Sequence, residues 1–454
     1  MSEIKVRDSD GFIKRICNHV ENNYSIDSEI LNNPNVRRGL RNPDGTGVLA
    51  GVTAIGNVRG YNVIDNDRSP IEGVLTYRGV NVEDIINGIT EEDRFGFEEV
   101  AYLLLIGKLP SKDELSEFND MLAHHRQLPH NFTEDMIIKA PSANVMNKLA
   151  RSVLALYSFD HNADDTSLEN MMRQSFDLIA RLPIITAQAY QVKRHYYENK
   201  SMYLHVPPDN LSAAESFLYC LRADRKYTDE EAKLLDKCLI LHAEHGGGNN
   251  SAFTCRVLSS TGTDTYSAVA AALCSLKGPL HGGANKQVVE MFKDIEANVK
   301  NWKSDDEVSE YLAKIIRKEA GNGSGKIYGM GHAVYTKSDP RAVMLKKHAK
   351  ALADKHGYLE RFELIEAVER LTPDVFRAVK NNSKPLCANV DMYSGLVYEM
   401  LGIPLDLYTP LFAVARVAGL CAHRIEEQMT GGRIIRPGYK CISTRTEYIP
   451  ISSR

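Results

Sequence analysis

Beyond residue 80, apolar residues recur at the three- and four-residue spacing that gathers them on one helix face, with polar residues between. "FEEVAYLLLIGKLP" predicts a helix to Leu105, stopped by Gly-Lys-Leu-Pro. A second helix opens at Ser111, with Glu114 at the capping-box position. "SAAESFLYCLRA", "DEEAKLLDKCLILHAEH", "DTYSAVAAALCSLKG" and "FAVARVAGLCAHRIEEQMTGG" repeat the order helix, Gly or Pro stop, helix. Strand character is confined to residues 52–80, where β-branched residues between turn signals predict a small β-hairpin. Residues 1–50 read as an amphipathic arm ending in the loop "RNPDGTGVLAG". Many helices and one short sheet predict an all-α, multi-helical fold without the βαβ alternation of a Rossmann sheet. No fixed-period repeat points to a solenoid. No low-complexity linker divides the chain, so a second domain would share a wide seam with the first.

Length and charge narrow the function classes. A chain of 454 residues is long for one core, which favours two domains or one large domain with an inserted unit. Net charge is −4, so nothing advertises nucleic acid or an anionic membrane. An anionic ligand would need locally placed basic groups. The eight cysteines form no CxxC pair, fall in apolar helical stretches and suit reduced, buried thiols of a cytosolic protein. The first residues mix acids and bases, unlike a signal or transit peptide, and the absence of an 18-residue apolar run predicts no membrane span.

Against this background a few polar residues stand out. "HAEHGGGNN" carries His242 and His245 at a predicted helix end, where the dipole favours an imidazolium. The pair shares a face, as metal ligands do, but no third ligand is near in sequence and the HExxH order is absent. "GPLHGGAN" places His281 before a predicted helix N-terminus, which lowers an imidazole's pKa and keeps it neutral, suited to polarising a carbonyl. Gly282 and Gly283 would clear room for a ligand. "GNGSGKIYGMGHAVYTKSDPRA" carries His332 and Arg341 without the Walker order. Asp391 in "NVDMYSG" fits either a helix N-cap or a buried functional carboxylate. Arg416, inside an apolar helix, requires an anion: a structural salt bridge or a ligand. Arg436 follows in "RIIRP".

These segments, in this order and at comparable spacings, resemble the citrate synthase family over residues 60–440. The resemblance implies a two-domain helical fold: a large domain from residues 1–283 with 397–454, and a small domain of residues 284–396 inserted between them. It implies condensation of acetyl-CoA with oxaloacetate and hydrolysis of citryl-CoA, the step that feeds the tricarboxylic acid cycle. The alternative within the family is 2-methylcitrate synthase, which uses propionyl-CoA. His281, His332 and Asp391 would be catalytic. His245, Arg341, Arg416 and Arg436 would hold oxaloacetate, Arg436 coming from the other subunit of a homodimer. Gly329, Gly331, Lys337 and Lys384 would border coenzyme A, which enters as substrate. No metal, resident cofactor, nucleic acid or membrane partner is implied, and a cytoplasmic location is expected. Lys286, Ala333 and Met392 depart from frequent family residues, the second removing one expected contact to a CoA phosphate. Outside this family, a metal hydrolase using His242, His245 and His281, or a helical interaction protein, are the competing readings.

Overall fold

The β-rich stretch forms three antiparallel strands, β1 (Gly56–Ile64), β2 (Asp67–Tyr77) and the two-residue β3 (Val80–Asn81), in the order β1-β2-β3. The expected hairpin is therefore present, with a short third strand. The computed structural model describes residues 9–24, 26–33, 35–64, 67–381 and 385–454. The β1–β2 register shifts between Arg59 and Tyr61, leaving Gly60 at the irregularity. A Cβ on Gly60 would lie 2.3 Å from the Val334 carbonyl oxygen, and one on Gly73 2.2 Å from that of Ser338. Both strand glycines thus permit close backbone approach by the segment that follows His332. Thr336 Oγ1 donates to the Gly60 carbonyl at 2.7 Å, and the Gly73 N–H donates to Ser338 Oγ at 3.1 Å.

Helices make up most of the remaining chain. Phe97–Ile106 ends on left-handed Gly107, φ 90°, and the capping box of Ser111 and Glu114 opens Lys112–His125. Ser212 with Glu215, and Thr228 with Glu231, open two further helices in the same way. The helix Tyr408–Met429 is apolar on nearly all sides and buried among its neighbours. By length and composition alone, the span Leu405–Met429 is long and apolar enough to cross a membrane. Most of it is buried within the protein, and it carries Arg416, His423 and Arg424 in the interior. Cys17, Cys274 and Cys441 are exposed rather than buried; all eight cysteines are free.

Residues 1–51 and 52–454 form separate compact units. The first contains the helices Ser9–Asn23 and Ser28–Leu31, the latter capped by Asp27. Every candidate residue lies in the second.

Candidate active site

The turn after the helix Asp229–His242 carries His245, and the loop before Pro340–Lys355 carries His332. Their rings meet edge to face with centroids 5.1 Å apart. Tyr335 stacks on His332 at 4.5 Å, and the Arg341 guanidinium lies 5.8 Å from the Tyr335 ring centre. Residues 87 positions apart in sequence thus build one buried wall.

Hydrogen-bond donors fix the state of His332. The N–H groups of Val334 and Tyr335 donate to Nδ1 at 3.0 and 3.1 Å. Nδ1 is therefore an acceptor, and Nε2 bears the proton of the neutral ring. Burial, aided by Arg341, lowers the pKa to about 4.

His281 is fixed in the opposite tautomer. The Ser251 N–H donates to its Nε2 at 3.3 Å, with the Ser251 hydroxyl 3.2 Å away, which leaves the proton on Nδ1. Burial first, then Arg416, brings this pKa to about 4. Neutrality was expected; its main cause is desolvation rather than the helix dipole. Gly282 and Gly283 also serve a different purpose from the expected one. A Cβ on Gly282 would lie 2.4 Å from the Leu276 carbonyl oxygen, and one on Gly283 2.8 Å from Pro279 Cα. Atoms of Leu276, Pro279 and Thr409 fill that space. Thr409 Oγ1 donates to the Gly282 carbonyl at 2.9 Å, tying the loop to the central helix.

Asp391 is the first residue of the helix Asp391–Met400; the cap position belongs to Val390 and has no side-chain cap bond. The N-cap reading is thereby overturned, and the carboxyl remains available. Burial raises its pKa to about 6, opposed by Arg341 and reinforced by Asp339. Asn389 joins this helix to the His332 loop: its Oδ1 accepts from the Asp391 N–H at 3.0 Å, and its Nδ2 donates to the Gly331 carbonyl at 2.9 Å.

The two interior arginines differ. Arg341 directs Nε and Nη2 onto Asp339 at 3.0 and 2.7 Å, so much of its fork is already paired. Arg416 is fully buried and donates Nε to the His242 carbonyl at 2.7 Å, while Nη1 and Nη2 have no hydrogen-bond partner among the described residues. The salt-bridge alternative for Arg416 is therefore not realised there. Burial lowers its pKa to about 10, leaving it cationic at neutral pH. His242 and His245 are held well below the ordinary imidazole value, chiefly by burial, with the arginines adding to the effect. The expected helix-end imidazolium is absent. Among the described residues, no cluster of three or more His, Cys, Asp or Glu side chains is arranged to hold a metal.

Some expected residues stand apart. Arg436 is exposed on the C-terminal segment and makes no described contact with this cluster. Lys337 is exposed, and Lys384 lies outside the described residues. Gly329 and Gly331 adopt φ of 83° and 90°, and a Cβ on Gly329 would meet Met392 at 3.1 Å. These glycines shape the contact between the His332 and Asp391 loops. Ser251, Asp339, Asn389 and Tyr335 were missed from sequence. Two had a readable signal: Asp339 and Asn389 each stand two residues before the group they orient, the spacing of a local Asx turn.

The site thus brings together three uncharged histidines, two cationic arginines and one carboxyl group of raised pKa, suited to a small anion and to proton transfer. The family model "Citrate synthase, C-terminal domain" matches residues 44–438. A citrate synthase from Acidithiobacillus ferridurans is 36% identical, over 93% of this chain and 99% of its own. A citrate/2-methylcitrate synthase from Bacillus subtilis is 36% identical, over 75% and 84% respectively. The structure of Thermoplasma acidophilum citrate synthase, a ternary complex with carboxymethyl coenzyme A and oxaloacetate, aligns with TM-score 0.74 and 29% identity, over 92% of this chain and 99% of that one. A match spanning the whole site, shared by sequence and fold, establishes that the chain belongs to the citrate synthase family.

Proposed function

We propose that this chain condenses acetyl-CoA with oxaloacetate and hydrolyses the resulting citryl-CoA to citrate and coenzyme A. The observation that carries the reading is Arg416, whose two terminal nitrogens are buried without partners among the described residues, beside neutral histidines. A buried cation with unused donors calls for an anionic ligand. Oxaloacetate supplies two carboxylates and a keto oxygen; Arg416, the remaining donor face of Arg341 and His245 receive them. His332 Nε2–H donates to the keto oxygen and makes its carbon electrophilic.

Asp391 removes a methyl proton from the thioester as His281 Nδ1–H donates to the thioester oxygen, so that no full enolate charge develops unsupported. The methyl carbon then forms a bond to the keto carbon as the C=O π pair moves onto the keto oxygen; His332 Nε2–H stabilises this alkoxide by hydrogen bonding, and the proton removed by Asp391 balances its conversion to a hydroxyl. Water finally cleaves the thioester, giving a carboxylate and a thiol.

Within the second unit, a large domain of residues 52–283 with 397–454 and a small domain of 284–396 form part of this proposal; residues 1–51, expected in the large domain, form a compact unit of their own. The cluster draws His245, His281 and Arg416 from one segment set and His332, Arg341 and Asp391 from the other. Oxaloacetate can bridge both sets and favour closure, whereas acetyl-CoA alone cannot. Small-angle scattering should show compaction with oxaloacetate, and equal compaction by acetyl-CoA alone would contradict this. A cytoplasmic homodimer without resident metal or cofactor completes the proposal. The 2-methylcitrate alternative is not favoured: the relative matching over more of both chains bears the citrate synthase name alone. Thiol release from acetyl-CoA, with and without oxaloacetate, tests the function. Dependence on oxaloacetate is expected, and propionyl-CoA should give the lower kcat/KM.

A further inference from the structure

Arg416, Gly419 and His423 lie three and four residues apart on the central helix, so they form one stripe. All three meet the turn that bears His245. Arg416 donates to the His242 carbonyl at 2.7 Å. A Cβ on Gly419 would lie 2.4 Å from both the Ala243 carbonyl oxygen and Glu244 Oε2, so only glycine admits the turn at that distance. His423 Nε2 lies 2.9 Å from Glu244 Oε1, and both side chains are fully buried.

Donor chemistry gives this contact a direction. Arg256 directs Nε and Nη2 onto His423 Nδ1 at 3.1 and 2.7 Å. A guanidinium can only donate, so Nδ1 accepts and Nε2–H donates to Glu244. Arg256 is anchored in turn by Glu426 and by Glu427 at 2.9 Å. Glu244 also accepts from the Gly246 N–H, while its Oε2 is buried with no hydrogen-bond partner among the described residues. The carboxylate is held below its usual pKa by His423 and Arg416 against the effect of burial. No ion pair joins Glu244 to Arg416 directly, so the carboxylate acts at a distance on the guanidinium.

We propose that His423, oriented by Arg256, is a positioning residue: it fixes Glu244 so that the turn presents His245, and the field at Arg416, to the substrate anion. The inference rests on oxaloacetate being that anion. Without the His423 donor, Glu244 would keep its charge in the interior with one fewer partner, and the turn would lose its tie to the helix that carries Arg416.

The test compares His423→Leu with His423→Gln, whose amide can accept from Arg256 and donate to Glu244. His423→Leu should raise KM for oxaloacetate by roughly tenfold or more, the effect of losing a hydrogen bond to a charged group, and raise KM for acetyl-CoA far less. His423→Gln should recover most of this loss. Calorimetric oxaloacetate binding should follow the same order, and circular dichroism should confirm that each variant is folded. Equal rises in both KM values, or a glutamine variant no better than leucine, would overturn the positioning role. A leucine variant that fails to fold shifts the test to the glutamine variant, whose oxaloacetate KM should stay within about threefold of wild type; a larger rise would overturn the role. Wild-type protein that binds no oxaloacetate would instead overturn the substrate reading, and this inference with it.

Discussion

Arg416 is held by the backbone of His242: its Nε donates to that carbonyl at 2.7 Å, and both terminal nitrogens remain without partners among the described residues. The main chain thus aims the guanidinium while leaving its outer donors for a ligand. Arg416→Leu should weaken oxaloacetate binding by ~2–5 kcal/mol, the effect of leaving a substrate carboxylate unpaired in a buried site. Isothermal calorimetry measures this directly. Unaltered affinity would remove Arg416 from the clamp.

Asp391 should set the acidic limb of the pH profile. Its pKa is raised to about 6, and it serves as a base only when ionised. Log kcat/KM should therefore fall with unit slope as pH drops below about 6. His281 and His332, at about 4, stay neutral through this range and add no further limb there. Asp391→Asn should lower kcat by roughly two to four orders of magnitude with oxaloacetate affinity little changed. Retention of a tenth of the activity would exclude it as the base.

Much of this arrangement was legible in the chain. Helix stops and capping boxes such as Ser111 with Glu114 are local, and the structure repeats them as expected. His281, His332 and Asp391 stood out because their chemistry is unusual beside glycines and apolar residues. What escaped notice depends on contacts across long sequence distances. The role of Gly60 and Gly73 depends on the 334–338 segment, whose carbonyl oxygens lie where a Cβ would stand. Arg341 was expected to hold oxaloacetate, and its pairing with Asp339 depends on the folded local turn. The low pKa of His281 was expected from a helix terminus, whereas burial dominates it. Burial is a property of the assembled protein.

His281→Ala should separate two steps. Its Nδ1–H supports the developing enolate oxygen, so its loss should cost ~3–4 kcal/mol in the barrier to proton removal. Exchange of acetyl-CoA methyl protons, followed with an oxaloacetate analogue bound, should suffer more than hydrolysis of added citryl-CoA. Equal damage to both would argue against a role specific to enolisation.

Arg436 tests the proposed homodimer. It is exposed on the C-terminal segment and makes no described contact with the cluster. Mixing inactive Asp391→Asn protein with inactive Arg436→Leu protein should restore activity in hybrid dimers, because one site then carries neither lesion. No recovery, with subunit exchange demonstrated, would place Arg436 in its own subunit's site.

Carbon NMR of the reaction with methyl-13C acetyl-CoA tests the central claim most directly. Carbon–carbon bond formation at the keto carbon predicts that the label appears in a methylene of citrate, with one free thiol per citrate, and only when oxaloacetate is present. Labelled acetate, or thiol released at the same rate without oxaloacetate, would contradict the account.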